Sequence, residues 1–330
     1  MYKILINSYF IYLLPILFIS SCVHSKNDTI QGTSKTSEID SLIKTYADYE
    51  QFNGAILVAH KGQIVYKNAF GMANMDWNIP NQTNTRFRLG SVTKQFTSML
   101  IMQLVAEKKL ELHTPIATYL PSYPKPQADQ ITIHHLLTHS SGIPNYTSFP
   151  NYRTAMRNPT PPLELVKTFA DSTLLFTPGD RFHYSNSGYV LLGQIIEKVT
   201  GKPYEKVLEE KIFDPLDMDG SGYEKGQQII KNKALGYYRN GSRFANANYI
   251  DMSMSYAAGG IHSTVENLYL WDRALYTEKL LPKTYLDSLF LPYQPIGEHH
   301  YAYGWSVGKM PIGNTEEKIG VIDLDGIING

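Results

Sequence analysis

Ser91 and Lys94 stand three residues apart, directly behind Gly90 and at the head of the run Val92-Thr93-Lys94-Gln95-Phe96-Thr97-Ser98-Met99-Leu100-Ile101-Met102. A serine hydroxyl at its ordinary pKa is a poor nucleophile, and attack on a carbonyl needs a base beside it. Residues i and i+3 share one face of a helix, so the Lys94 amine can lie against the Ser91 oxygen. A helix N-terminus favours negative charge on that oxygen, and burial drives a lysine toward its neutral, basic form. The same pair also suits a structural role, with Ser91 capping a core helix and Lys94 snorkelling to solvent. Ser-x-x-Lys recurs at Ser41/Lys44, Ser122/Lys125 and Ser306/Lys309. Those copies lie on an ordinary amphipathic segment, around Pro124 and around Gly308. Only Ser91 joins a preceding glycine to a helix start and a buried continuation.

A second pair with chemical potential is Tyr184-x-Asn186, within Thr177-Pro178-Gly179-Asp180-Arg181-Phe182-His183-Tyr184-Ser185-Asn186-Ser187-Gly188. A Pro-Gly turn delivers a short extended piece and then a tight polar loop, a common place for a working side chain. Tyr184 could shuttle protons if a lysine ammonium lowered its pKa, and Asn186 could donate its amide to a substrate carbonyl. The alternative is a turn-stabilising Asn beside a packing Tyr. Tyr-x-Asn also occurs at Tyr66/Asn68 and Tyr238/Asn240.

The elements that would position these residues read as follows. Ile39, Leu42, Ile43 and Tyr46 have helical spacing and predict an amphipathic helix to about Tyr49. Strands are predicted over 54–60 and 63–71, joined at Lys61-Gly62. The Ser91 helix should be buried and run to about Lys108-Lys109, and residues 110–248 read as helical with long Pro-rich loops. A further helix is predicted over Val190–Val199, stopped at Thr200-Gly201. Ala257-Ala258-Gly259-Gly260 reads as a small-residue turn, Ser263 with Glu266 as a capping box for a helix from Asn267, and 301–307 as strand. His134, His135 and His139 invite a metal reading, but they lack the long helix and nearby carboxylate of a zinc protease.

The chain has 330 residues, with 30 basic against 30 acidic side chains, so no electrostatic case for nucleic acid exists. Cys22, the single cysteine, excludes an intrachain disulfide. Lys3 followed by a largely apolar stretch to Ile19 has the layout of a secretory signal, too short and broken for a membrane span. Its end, Ile19-Ser20-Ser21-Cys22, resembles a bacterial lipobox, which implies cleavage and lipidation at Cys22. Residues 1–21 are therefore expected to be a lipoprotein-type signal peptide, 22–37 a lipidated tether, and 38–330 the folded domain, facing the periplasm or cell surface.

Ser91-x-x-Lys94, Tyr184-x-Asn186 and a late Gly-containing strand, in that order, resemble the serine β-lactamase and penicillin-binding protein superfamily, closest to its class C β-lactamase-like branch. Phe87-Arg88-Leu89-Gly90-Ser91, His135-Leu136-Leu137-Thr138-His139-Ser140-Ser141-Gly142-Ile143, Pro178-Gly179 and Gly259-Gly260 support the likeness, which runs from about Ile39 to the last residue. The resemblance implies an α+β fold, an antiparallel sheet flanked by helices and built from both chain ends, with an inserted helical lobe at about 110–248. It implies acylation of Ser91, proton traffic through Lys94 and Tyr184, substrate positioning by Asn186, and no cofactor. Expected substrates are an ester, a D-Ala-terminated peptide or a β-lactam. The family's Lys-Thr-Gly or His-x-Gly motif falls on Leu324-Asp325-Gly326, with Ile327 as an oxyanion donor, or else on Lys318-Ile319-Gly320. In the first register a leucine replaces the family's cationic or hydrogen-bonding group, which favours an esterase or peptidase over a β-lactamase. The family sheet also has two further strands and a C-terminal helix after this point, so a shortened C-terminus is expected. A non-catalytic envelope protein that binds peptidoglycan fragments or a partner is the competing reading.

Overall fold

The computed structural model describes residues 26–241 and 243–328; the signal segment and Cys22 lie outside the described residues. Helix α1 (Lys26–Asp48) is followed by strands β1 (Gly54–His60) and β2 (Gln63–Phe70), an antiparallel hairpin closed at Lys61-Gly62. α1 starts well before Ile39, so much of the expected tether is helical; extending a formed helix is far easier than nucleating one. α1 lies on β2, and the Tyr66 hydroxyl donates to Asp40 at 2.7 Å.

Short strand β3 (Phe87–Arg88) leads through one 3-10 turn, Gly90–Val92, into α2 (Thr93–Ala106). Every residue from Thr93 to Leu104 is buried, as the sequence predicts for this helix. Phe96, Leu100, Ile101 and Leu104 have no exposed surface. Each such burial contributes roughly 1.5–3 kcal/mol, so α2 forms a rigid axle for the turn that carries Ser91.

The middle of the chain supplies α3 (Ile133–Leu137), α4 (Asn186–Thr200) and α5 (Tyr204–Leu208). Antiparallel strands at Tyr237–Asn240 and Arg243–Asn246 interrupt the stretch expected to be helical; Asn240-Gly241 between alternating residues is a hairpin signal. α4 begins four residues earlier than the apolar periodicity indicates. The Asn145 carbonyl oxygen Oδ1 accepts the Asn186 N–H at 3.2 Å, and the Ser187 hydroxyl donates to the Pro144 carbonyl at 2.7 Å. The Asn145 contact satisfies one N–H of the first turn, the Ser187 contact ties the turn to the preceding loop, and Gly201 closes the far end in the left-handed conformation.

Strand β4 (Gly222–Tyr223) and strand β5 (Ile261–Ser263) join β3 in a three-strand sheet, ordered β3-β5-β4. Glu224 clamps that sheet with a two-pronged contact to Arg88, at 2.7 and 3.0 Å, and a third to Lys233 at 2.7 Å. These partners hold its carboxyl below the usual range despite burial. One helical turn, Tyr256–Gly259, precedes β5 where the sequence suggests only a turn. The next helix, Val265–Ala274, is capped by Thr264 rather than by a Ser263/Glu266 box, because Ser263 belongs to β5 and Glu266 pairs with Lys67.

The remaining described strands, β6 (Gln294–Ile296), β7 (His299–Tyr301), β8 (Ser306–Pro311) and β9 (Lys318–Asp323), form an antiparallel meander. The β1–β2 hairpin and this meander are separate sheets among the described residues, not one sheet shared by both ends.

Candidate active site

Gly90 has a φ of +53°, in the left-handed region, and a Cβ there would meet the backbone of Ile327 at 3.0–3.1 Å. Both facts require glycine. The turn it permits holds Ser91 at the mouth of α2, with Lys94 one turn inward.

Lys94 is wholly buried. Its Nζ lies 3.1 Å from Ser91 Oγ, 2.8 Å from Asn186 Oδ1 and 2.8 Å from the Ala258 carbonyl oxygen. No carboxylate forms an ion pair with it among the described residues, and burial holds its pKa well below the ordinary lysine value. A neutral amine has two N–H donors and one lone pair. The Asn186 and Ala258 oxygens take the donors, which turns the lone pair toward Ser91.

Tyr184 Oη stands 2.5 Å from Ser91 Oγ. Its pKa is not lowered, as the sequence reading supposed, but pushed up to about 12, chiefly by burial and further by the Asp325 carboxylate. The lysine that was to stabilise a phenolate is itself driven toward neutrality. Tyr184 therefore stays protonated near neutral pH. Asn186 lies beside Lys94: its Oδ1 accepts from the amine, and one Nδ2–H donates to Asn145 Oδ1 at 3.3 Å.

The third segment arrives from beyond β9. A Cβ on Gly326 would lie 2.0 Å from the Leu89 carbonyl oxygen and 3.1 Å from the Ser91 nitrogen. Gly326-Ile327 thus lies directly against Leu89-Gly90-Ser91. Lys318-Ile319-Gly320 does not: it sits on β9, Lys318 pairs with Glu298, and a Cβ on Gly320 would meet nothing within 4 Å. Of the two registers, the structure brings Leu324-Asp325-Gly326 to Ser91. Between this segment and the helices opens a cleft of about 200 Å³ lined by Ser91, Tyr146, Tyr152, Asn186, Ser255 and Ile327, among others.

A profile of the beta-lactamase family matches residues 39–320. The chain belongs to the beta-lactamase family. Penicillin-binding protein 4* of Bacillus subtilis (strain 168) is 30% identical, over 84% of this chain and 64% of its own length. Teichoic acid D-alanine hydrolase of Staphylococcus aureus is 29% identical, over 67% of this chain and 54% of its own length. The chain therefore spans less than two thirds of either curated relative. The crystal structure of a penicillin binding protein from Bacillus halodurans superposes with a TM-score of 0.72 at 29% identity, covering 80% of this chain and 83% of that one. The α+β beta-lactamase/transpeptidase fold is thus shown by sequence and by shape.

Within this family frame, sequence reasoning missed several neighbours of Ser91. The Ala258 carbonyl carries no side-chain signal. Asn145 lies in the loop after α3 and became visible only through its contacts with Asn186. His139, weighed as a metal ligand, lies behind Tyr184 with ring centroids 4.4 Å apart. Its Nδ1 accepts the Ser185 N–H at 3.2 Å and burial keeps it neutral, so Nε2 carries the proton toward the Tyr301 hydroxyl at 3.2 Å. His134 meets the Tyr303 hydroxyl, and His135 completes a capping box with Thr132. Three adjacent histidines thus have three structural partners.

Proposed function

We propose that this chain is a serine hydrolase that forms an acyl-enzyme on Ser91 and acts on D-alanyl esters or related amides of the bacterial envelope. The observation that carries the reading is the buried Lys94 amine, with no carboxylate ion pair among the described residues, 3.1 Å from Ser91 Oγ, and the Tyr184 hydroxyl 2.5 Å from the same oxygen. Lys94 takes the Ser91 proton as Oγ attacks the carbonyl carbon. Tyr184 passes a proton to the departing alcohol or amine and is replenished from Lys94. The N–H groups of Ser91 and Ile327 receive the developing oxyanion. Water then attacks the acyl-enzyme by the reverse proton path.

An ester of D-alanine fits this cleft better than a β-lactam. In the family resemblance Leu324 stands where the motif has a cationic or hydrogen-bonding group, and no lysine or arginine lines the cleft among the described residues. The printed name of the staphylococcal relative points to the same substrate chemistry. Export and lipid anchoring through Cys22 are part of this proposal and rest on the N-terminal sequence alone.

The test is intact mass with peptide mapping after exposure to a fluorophosphonate, with Ser91→Ala alongside. A single adduct on Ser91, absent from the variant, is the expected result. A folded protein that takes no adduct would falsify the hydrolase reading. It would leave the binding-protein reading, for which the Leu324 departure is the supporting observation.

A further inference from the structure

We propose that Asp325 sets the charge preference of the Ser91 cleft, favouring acyl groups that carry an ammonium next to the scissile carbonyl and opposing those that carry a carboxylate. The inference rests on the hydrolase reading and names the substrate class of that same site.

Asp325 is exposed, and no hydrogen bond or ion pair engages it among the described residues. It immediately precedes Gly326, whose backbone lies against the Ser91 nitrogen. Its field reaches the cleft, since it contributes to the upward shift of the Tyr184 hydroxyl. The cleft lining is uncharged, and Lys94 is held toward its neutral form. The balance of charge around Ser91 is therefore negative, with Leu324 beside Asp325 offering no counter-charge.

An acyl carbonyl that reacts with Ser91 puts its oxygen toward the Ser91 and Ile327 N–H groups. The Asp325–Ile327 segment, packed against Leu89-Gly90-Ser91, then brings its charge to bear on the α-substituent. An α-ammonium, as in an alanyl ester, gains from the carboxylate. A free carboxylate on the substrate is repelled, and no cation in the cleft compensates. Because Asp325 faces solvent, salt should weaken both effects.

The test uses three aryl thioesters: D-alanine with its amine free, the N-acetyl derivative, and the N-succinyl derivative. Acyl-enzyme formation is read by intact mass and thiol release by absorbance, for the wild-type chain and Asp325→Asn. Wild type should prefer the free-amine thioester over N-acetyl by roughly three- to tenfold at low salt, and N-succinyl should be poorest. Asp325→Asn should bring the three rates closer together, each read relative to labelling of the same protein by an uncharged fluorophosphonate. Equal ratios in wild type and variant overturn this inference and leave the hydrolase reading intact. Failure of every thioester together with failure of the fluorophosphonate overturns the hydrolase reading, and this inference with it.

Discussion

Gly326→Ala is the most direct test of how the late segment serves Ser91. The new methyl would lie 2.0 Å from the Leu89 carbonyl oxygen, a backbone atom in the turn that carries the nucleophile. Van der Waals contact needs more than an ångström of extra room, and neither partner is a side chain that can swing aside. Gly326 is not among the positive-φ glycines, so the clash alone carries the prediction. The easier retreat is by the 326–328 segment, which is largely exposed, rather than by Leu89, which is buried above α2. That retreat draws the Ile327 N–H away from the carbonyl bound at Ser91. Loss of one oxyanion donor lowers reaction rates by about 10²–10³, and misplacement by about 1 Å alone can cost 10². Stopped-flow acylation by an activated ester should therefore slow by roughly that factor, with thermal unfolding nearly unchanged. Gly320→Ala is the control, because a Cβ there meets nothing within 4 Å. Acylation of Gly326→Ala at the wild-type rate would refute the reasoning, since Ile327 would then not be needed at Ser91.

Two further predictions follow from the buried pair. Lys94→Met should abolish acylation and also change the pH dependence of stability. Burial holds the Lys94 pKa in the fold well below its unfolded value of about 10.5, so wild-type stability falls as pH drops from there. The variant lacks that slope, so urea unfolding from pH 7 to pH 10.5 should show the largest gain relative to wild type at pH 7; a constant difference would refute a neutral Lys94. Tyr184→Phe should slow acylation while leaving the acidic limb of the pH–rate profile where it was. The wild-type profile should show no basic limb below about pH 10, because Tyr184 titrates near 12. A basic limb near neutrality that the Phe variant removes would mean that Tyr184 works as a phenolate.

Much of this protein is legible in its sequence because the signals are local. The α2 pattern, Gly90 before Ser91, and the Lys61-Gly62 hairpin each follow from a few adjacent residues, and the structure has them where the pattern puts them. Ser91 and Lys94 are neighbours for the same reason, since helical spacing alone brings i and i+3 together. Family membership is legible too, because the motifs occur in a fixed order.

What the sequence left open depends on residues far apart in the chain. The start of α4 at Asn186 depends on Asn145, and no periodicity within α4 reports a partner 41 positions away. The choice between Gly326 and Gly320 is a matter of backbone approach to Leu89 and Ser91. The protonation of Lys94 and Tyr184 is not legible in the sequence, because a pKa is set by what surrounds a group in space. Residue types and spacing thus determined which side chains could do the chemistry. Burial, which exists only once the tertiary fold has closed over them, lowers the pKa of the amine and raises that of the phenol.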